Sequence, residues 1–239
     1  MHDLGTLGGR TSVALGINKT DQVVGIASLN DFVNHAFLYD GTMHDLGTLE
    51  GMTNSQANVI NNKGQIVGES SDPNTIPTNF RAFLYDDESH DLGTLGGSTS
   101  LATAINDFVV GYSQIPSGET HAFLYDGSMH DLGSFDDGRT LAYAINKRGQ
   151  VVGQWIIQNR QGAFLYQEGA LYDLKVLLDS SGDEWTQLME AAGINDSGQI
   201  VGSGAKADGV HAFRLDPISE HEKRHRRSHE RDDDEPAQP

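Results

Sequence analysis

The stretch His121–Gly133, HAFLYDGSMHDLG, decides the fold, because close copies of it return along the whole chain. HAFLYDGTMHDLG begins at His35, RAFLYDDESHDLG at Arg81, GAFLYQEGALYDLK at Gly162 and HAFRLD at His211. A second phrase falls between the copies: INKTDQVVG from Ile17, INNKGQIVG from Ile60, INDFVVG from Ile105, INKRGQVVG from Ile145 and INDSGQIVG from Ile194. The triplet DLG sits at Asp3, Asp45, Asp91 and Asp131, with DLK at Asp173, so the steps are 42, 46, 40 and 42 residues. A period of that size marks an array of like units, none able to bury its apolar face alone.

Each unit reads as four short strands, in the third unit LATAIN, FVVGYS, HAFLYD and SMHDLG. Asp40-Gly41 and Asp126-Gly127 predict two-residue hairpin turns with both central residues at positive φ. That register would set Phe123 opposite His130, with His121 as a diagonal neighbour on the same face. Asn61 and Asn146 open Asn-x-x-Gly turns, in which the Asn side chain closes the turn and Gly takes the left-handed position. The strands Ala122–Tyr125 and Val109–Val110 are apolar on both faces, unlike a sheet with one wet face. A small sheet clasped between two like itself fits that pattern, and a four-stranded unit of this length is a propeller blade.

The first strand of every unit carries a small residue (Ala14, Ala57, Ala102, Ala142, Ala191), as crowding near an axis demands. The expected fold is therefore all-β, a five-bladed β-propeller of four-stranded antiparallel blades. The last unit ends at Asp216 without a fourth strand, and the chain starts with the missing piece, His2-Asp3-Leu4-Gly5. The N-terminal strand is thus expected to close the ring and remove an open edge. Residues 1–216 form the propeller, and 217–239, with charge blocks and no apolar period, read as a disordered tail.

The 239 residues carry a net charge of −18. Without the tail, 11 Lys and Arg against 27 Asp and Glu leave −16 on the repeats. Such a body repels phosphate backbones, so no nucleic-acid partner is expected. No apolar run reaches the roughly 18 residues of a membrane span. No membrane insertion is therefore expected. With no cysteine in the chain, disulfide scaffolds and thiolate metal sites are excluded. Met1 leads straight into repeat sequence, so no signal peptide is expected in this chain.

HAFLYDG, DLGTLGG and AINxxGQVVG together resemble the bacterial HAF repeat proteins, over nearly all of residues 2–216. Arg81 and Gly162 in place of the first His of that phrase, and Phe135-Asp136-Asp137 in place of LGG, depart from the pattern. The resemblance implies a propeller, and an extracellular or cell-surface location, without a defined chemistry.

The recurring His-Asp pairs, such as His130-Asp131, suggest a dyad, but neighbours in a strand point to opposite faces. The repeated aspartates are expected to accept backbone hydrogen bonds, and no catalytic residue, metal site or cofactor is expected. Function is sought where the units disagree, in the connections Ser134–Arg139 and Lys175–Gln187. They carry Asp136, Asp137, Asp183, Glu184 and Trp185, while Glu190 is the acid inside a first strand. An exposed Trp beside carboxylates suits sugar stacking with hydroxyl hydrogen bonds. These six residues are the candidate ligand-binding set of a non-enzymatic binding or adhesion propeller for a carbohydrate or protein ligand, expected as a monomer. The alternatives are a glycoside hydrolase using Glu190 with Asp136 or Asp183, which needs carboxyls about 5–10 Å apart, and a structural repeat with no small ligand.

Overall fold

The computed structural model describes residues 1–75 and 79–218. The first unit folds as β1 (Ser12–Ile17), β2 (Val23–Ser28), β3 (Asn34–Tyr39) and β4 (Met43–Asp45). The second is β5 (Asn54–Ile60), β6 (Ile66–Asp72), β7 (Asn79–Asp86) and β8 (Glu88–Asp91). The third is β9 (Ser100–Ile105), β10 (Val109–Gln114), β11 (Thr120–Tyr125) and β12 (Met129–Asp131). The fourth is β13 (Arg139–Ile145), β14 (Val151–Ile157), β15 (Arg160–Gln167) and β16 (Ala170–Asp173), and the fifth β17 (Gln187–Ile194), β18 (Ile200–Lys206) and β19 (Gly209–Leu215). Each unit is one antiparallel meander, four-stranded in the first four and three-stranded in the last.

Consecutive sheets stack face to face, the first strand of each lying on the first three strands of the sheet before it. That explains why the middle strands do not alternate. Val24, Val67, Val110 and Val152 are all buried, as are Phe37, Phe83, Phe123 and Phe164 on the strands beside them. Four apolar clusters result, one at each junction between sheets. Each fully buried Phe contributes about 2–3 kcal/mol through lost water contact.

Two devices are repeated at every blade. The first is a bulge in the first strand, at Leu15, Asn58, Thr103, Tyr143 and Ala192, where the register to the second strand slips. It turns the carbonyl of the residue two before it into the neighbouring strand. A Cβ on Gly68, Gly111 or Gly153 would lie 1.9 Å from the carbonyl oxygen of Gln56, Leu101 or Leu141, which is why the second phrase always ends in Gly. The second device is the repeated Asn. Asn61 Oδ1 accepts from the backbone N–H of Lys63 and Gln65, closing the turn as expected, and Gly64 takes φ 84°. The Asn amide also reaches the next sheet, in a ladder the sequence did not announce. Asn18 donates to Asn61 O (3.1 Å), Asn61 to Asn106 O (3.1 Å), Asn106 to Asn146 O (2.6 Å) and Asn146 to Asn195 O (3.0 Å).

Three expectations need correction. The Asp-Gly hairpins have three-residue turns: Tyr125 pairs with Met129, and only Gly127 has positive φ. The added residue shifts the register by one, so Phe123 faces Asp131 and Leu124 faces His130. His121 and His130 therefore fall on opposite faces, and the paired imidazoles do not form. The ring is not closed by the N-terminal strand either. Among the described residues, 1–11 hold no strand, β19 has no fourth strand beside it, and the fifth sheet does not pack on the first. The same small-residue packing and Asn ladder recur at each of the four junctions. The structure is an open, propeller-like arc of five sheets. Of the expected tail, residues 219–239 lie outside the described residues.

Candidate functional site

The repeats make departures visible at the level of single side chains. In the first three sheets a His or Arg on the third strand meets the aspartate of the fourth. His35 Nδ1 lies 2.8 Å from Asp45 Oδ1, Arg81 Nη2 2.8 Å from Asp91 Oδ2, and His121 Nδ1 2.9 Å from Asp131 Oδ2. The same aspartates accept from the backbone N–H two residues on, of Gly47, Gly93 and Gly133. The His-Asp repetition is thus structural, as expected.

The fourth sheet breaks this arrangement. Gly162 stands where the His or Arg is in the other sheets, and Trp155 replaces the residue facing it, which is Ser70 or Ser113 in the second and third sheets. The two changes require one another. A Cβ on Gly162 would meet Trp155 Cε2 at 2.4 Å, so the indole occupies the space that a side chain would otherwise fill. Trp155 is only 6% exposed, held by Phe135 at 5.8 Å between ring centroids and by the Arg160 guanidinium 5.8 Å from its ring. Its Nε1 is buried and has no hydrogen-bond partner among the described residues. Such a group costs about 1–3 kcal/mol unless something satisfies it.

Beside the indole a cleft of about 310 Å³ opens between the fourth and fifth sheets, lined by Trp155, Arg160, Gln161, Asp173, Lys175 and Gln187 among others. Asp173 has no imidazole opposite it. Its carboxylate caps a short 3-10 helix over Leu174–Leu177 by accepting from Lys175 N at 2.9 Å. Lys175 Nζ donates to Gly182 O at 3.0 Å. The cleft thus joins one carboxylate to two cations in an otherwise acidic body, with amide groups from Gln161 and Gln187. It lies on the face that bears the loops between second and third strands and the connections between sheets.

The six residues singled out by sequence make separate sets of contacts. Asp136 and Asp137 sit in left-handed backbone, φ 44° and 54°, in a turn that presses Phe135 onto Trp155 while both carboxylates stay in water. Asp183 is exposed, and Glu184 bonds Lys206 at 2.7 Å, a contact that holds its carboxyl below the usual range. Trp185 is half-buried rather than presented. It meets Phe213 edge-on at 5.9 Å and His211 at 6.5 Å, with Lys206 Nζ 5.0 Å from its ring. Glu190 lies elsewhere, its Oε1 accepting from Ser203 Oγ at 3.2 Å. None of the six lines the cleft, or either of the two larger hollows near the turns between first and second strands. The signal that would have found the cleft was present in the sequence: the coincidence of Gly162 and Trp155 at positions that are paired in every other unit.

Sequence reasoning also missed Glu69. It is mostly buried, accepts from Asn58 Nδ2 at 2.6 Å, and is pushed up to about 7 by loss of water. Its charge in turn contributes to raising Tyr112, after burial itself.

No family model matches the sequence, and no curated protein matches it. Among solved structures the chain is similar to a fungal lectin, that of Aleuria aurantia, described as a six-bladed β-propeller with a novel fucose recognition mode. The match has 12% identity and a TM-score of 0.44, and covers 85% of this chain and 73% of the lectin. A point mutant of that lectin with α-methyl-L-fucoside matches at 13% identity and a TM-score of 0.44 over 87% of this chain and 74% of the other. The same mutant with Fucα1-6GlcNAc gives 13% and 0.44 over 87% and 75%.

Proposed function

We propose that the protein is a non-enzymatic carbohydrate-binding propeller of the HAF-repeat kind, working outside the cell, and that the cleft between the fourth and fifth sheets receives the sugar. One observation carries the reading: the paired departure of Trp155 and Gly162, which leaves a buried indole N–H without a partner beside an aspartate without its imidazole. A sugar supplies what both lack. A ring hydroxyl donates to Asp173, another accepts from Nε1 once the side chains covering the indole part, and Arg160 and Lys175 favour a saccharide bearing an anionic group. The carboxylates of Asp136, Asp137 and Asp183 on the same side contribute to the wider approach surface.

The test restores the regular pattern. In Trp155→Ser/Gly162→His the fourth sheet regains the Ser–His–Asp set of Ser113, His121 and Asp131, so the fold is kept while the cleft is filled. On an array of neutral and acidic glycans the unaltered protein should bind a defined subset. By calorimetry, the double variant should lose at least tenfold in affinity for the best ligand. A silent array for the unaltered protein, or unchanged binding by a folded double variant, overturns the proposal.

A further inference from the structure

The first and fifth sheets carry the two halves of an interface that the chain builds in full three times inside itself, and a fourth time without the hydroxyl. The first three internal junctions share a hydroxyl clasp, while the fourth has Leu188 at that position. A backbone N–H of the third strand donates to a hydroxyl of the next sheet: Ala36 N to Ser55 Oγ at 2.8 Å, Ala82 N to Ser100 Oγ at 2.9 Å, and Ala122 N to Thr140 Oγ1 at 2.9 Å. Those hydroxyls in turn hold the corner after the fourth strand, donating to the carbonyls of Gly47, Gly93 and Gly133. The Asn ladder and an alanine contact complete the set.

At the N-terminal end one half is already assembled. Gly5 N donates to Asp3 Oδ1 at 3.0 Å, and Ser12 Oγ donates to Gly5 O at 2.7 Å. These are the bonds of the internal corners, yet no sheet lies beneath them. Ala14 and Ile17 are exposed, Ile17 at 66%, whereas their counterparts Ala57 and Ile60 are buried. The C-terminal end shows the other half. Ala212 and Val201 are exposed, Val201 at 47%, where Ala36 and Val24 are fully covered. Asn195 Nδ2 bonds its own Gln199, as the other Asn do, but among the described residues it lacks the second bond to a next sheet that Asn18, Asn61, Asn106 and Asn146 make, and His211 meets Asp208 where His35 and His121 meet a fourth-strand aspartate.

We infer that the fifth sheet of one chain docks on the first sheet of a second copy, head to tail, with His2-Asp3 of that copy added to β19 as its fourth strand. The register follows from β3 and β4, where Phe37 pairs with Asp45 and Leu38 with His44. Phe213 then pairs with Asp3 and Arg214 with His2. Ala212 N donates to Ser12 Oγ, Asn195 Nδ2 to Asn18 O, and His211 turns from Asp208 to Asp3. The occupant is a second copy because the first and fifth sheets, which make no packing contact with each other, carry complementary halves of an interface whose Asn ladder occurs four times and whose hydroxyl clasp occurs three times within the chain. Self-association thus replaces the monomer expected from sequence. A contact of this kind is heterologous, so it continues into a ring or a filament.

Ala14→Arg and Ala212→Arg each block one end, at positions exposed in the single chain. Sedimentation velocity at rising concentration should show the unaltered protein growing beyond a dimer, with each variant alone remaining a monomer. An equimolar mixture of the two should form a dimer and nothing larger, since one free end of each kind remains. An unaltered protein that stays monomeric at all concentrations overturns the inference, and so does a mixture that does not dimerise. In the first case, protection of the His2 and Asp3 amides from hydrogen exchange would assign the same parts to closure within one chain.

Discussion

The third and fourth sheets share a backbone and differ in what fills one corner of it. In the third, His121 meets Asp131 while Ser113, paired with His121 across the strands, donates to Thr99 O and accepts from Leu95 N; in the fourth, Trp155, Gly162 and Asp173 border a cleft about 310 Å³ in volume. The difference separates scaffold from site without any second protein to compare. A feature present in both sheets holds the array together. A feature present in one has been freed for another task.

The bulge glycine belongs to the scaffold, so its loss should strike both sheets alike. A Cβ at Gly111 or Gly153 meets a backbone carbonyl oxygen at 1.9 Å, which no rotamer change relieves. Gly111→Ala and Gly153→Ala should each cost upwards of about 3 kcal/mol or prevent folding. Urea denaturation checks this, and a large effect in one sheet alone would break the equivalence on which the comparison rests. Next in size is the Trp155–Gly162 couple. Trp155→Ser should cost roughly 3–4 kcal/mol through the void it leaves, and Gly162→His should destabilise by overpacking. The double variant should recover much of both, a coupling on the order of 2 kcal/mol by double-mutant cycle. Strict additivity would mean the two departures are unrelated.

Glu69 sharpens the contrast from outside the pair, because the third sheet places Tyr112 and the fourth Gln154 at its position after the glycine. Its carboxyl titrates near 7 when folded and near 4.5 when unfolded, so between those values the folded state binds the extra proton. Stability should be undiminished below about pH 4.5 and fall as pH rises through 7, by on the order of 3 kcal/mol in full. Glu69→Gln removes the penalty while keeping an acceptor for Asn58. It should match the unaltered protein at pH 4.5 and melt higher at pH 8, and equal melting at both would refute the buried titration.

How much of this was readable in advance depends on which interactions are local in the chain. The strand order within each unit, the Asn turn and the structural role of the aspartates were legible, since turn chemistry and apolar runs act over a few residues. The bulge was not, because one residue added to a first strand looks like ordinary strand sequence until its partner is placed. That bulge is also why Gly25, Gly68, Gly111, Gly153 and Gly202 recur, a signal seen as repetition and not as a steric need. The three-residue turn at Asp126–Ser128 escaped for a similar reason: Asp-Gly fits both turn lengths, and the choice moved every later pairing by one. Whether the first sheet meets the fifth depends on packing summed over four junctions, which no composition encodes. The cleft was missed because exposed acids in irregular loops drew attention, while the departure that mattered removed a side chain.

The smallest expected effect on stability divides the two sheets most cleanly. Asp131→Asn and Asp173→Asn make the same chemical change at equivalent positions. In the third sheet the change weakens a half-exposed pair with His121 and should cost no more than about 1 kcal/mol, as such pairs do. In the fourth no imidazole is lost, and the amide oxygen of asparagine still accepts from Lys175 N, so melting should move less than in the third. Ligand binding should respond the other way. Asp131 lies in a filled corner, and its variant should bind as the unaltered protein does. Asp173 faces the cleft, and removing its charge takes away the strongest acceptor offered to a hydroxyl, so affinity should fall about tenfold or more. If instead both variants bind alike and differ only in melting, the fourth corner is packing like the third, and the departure of Trp155 and Gly162 is a change of filling alone.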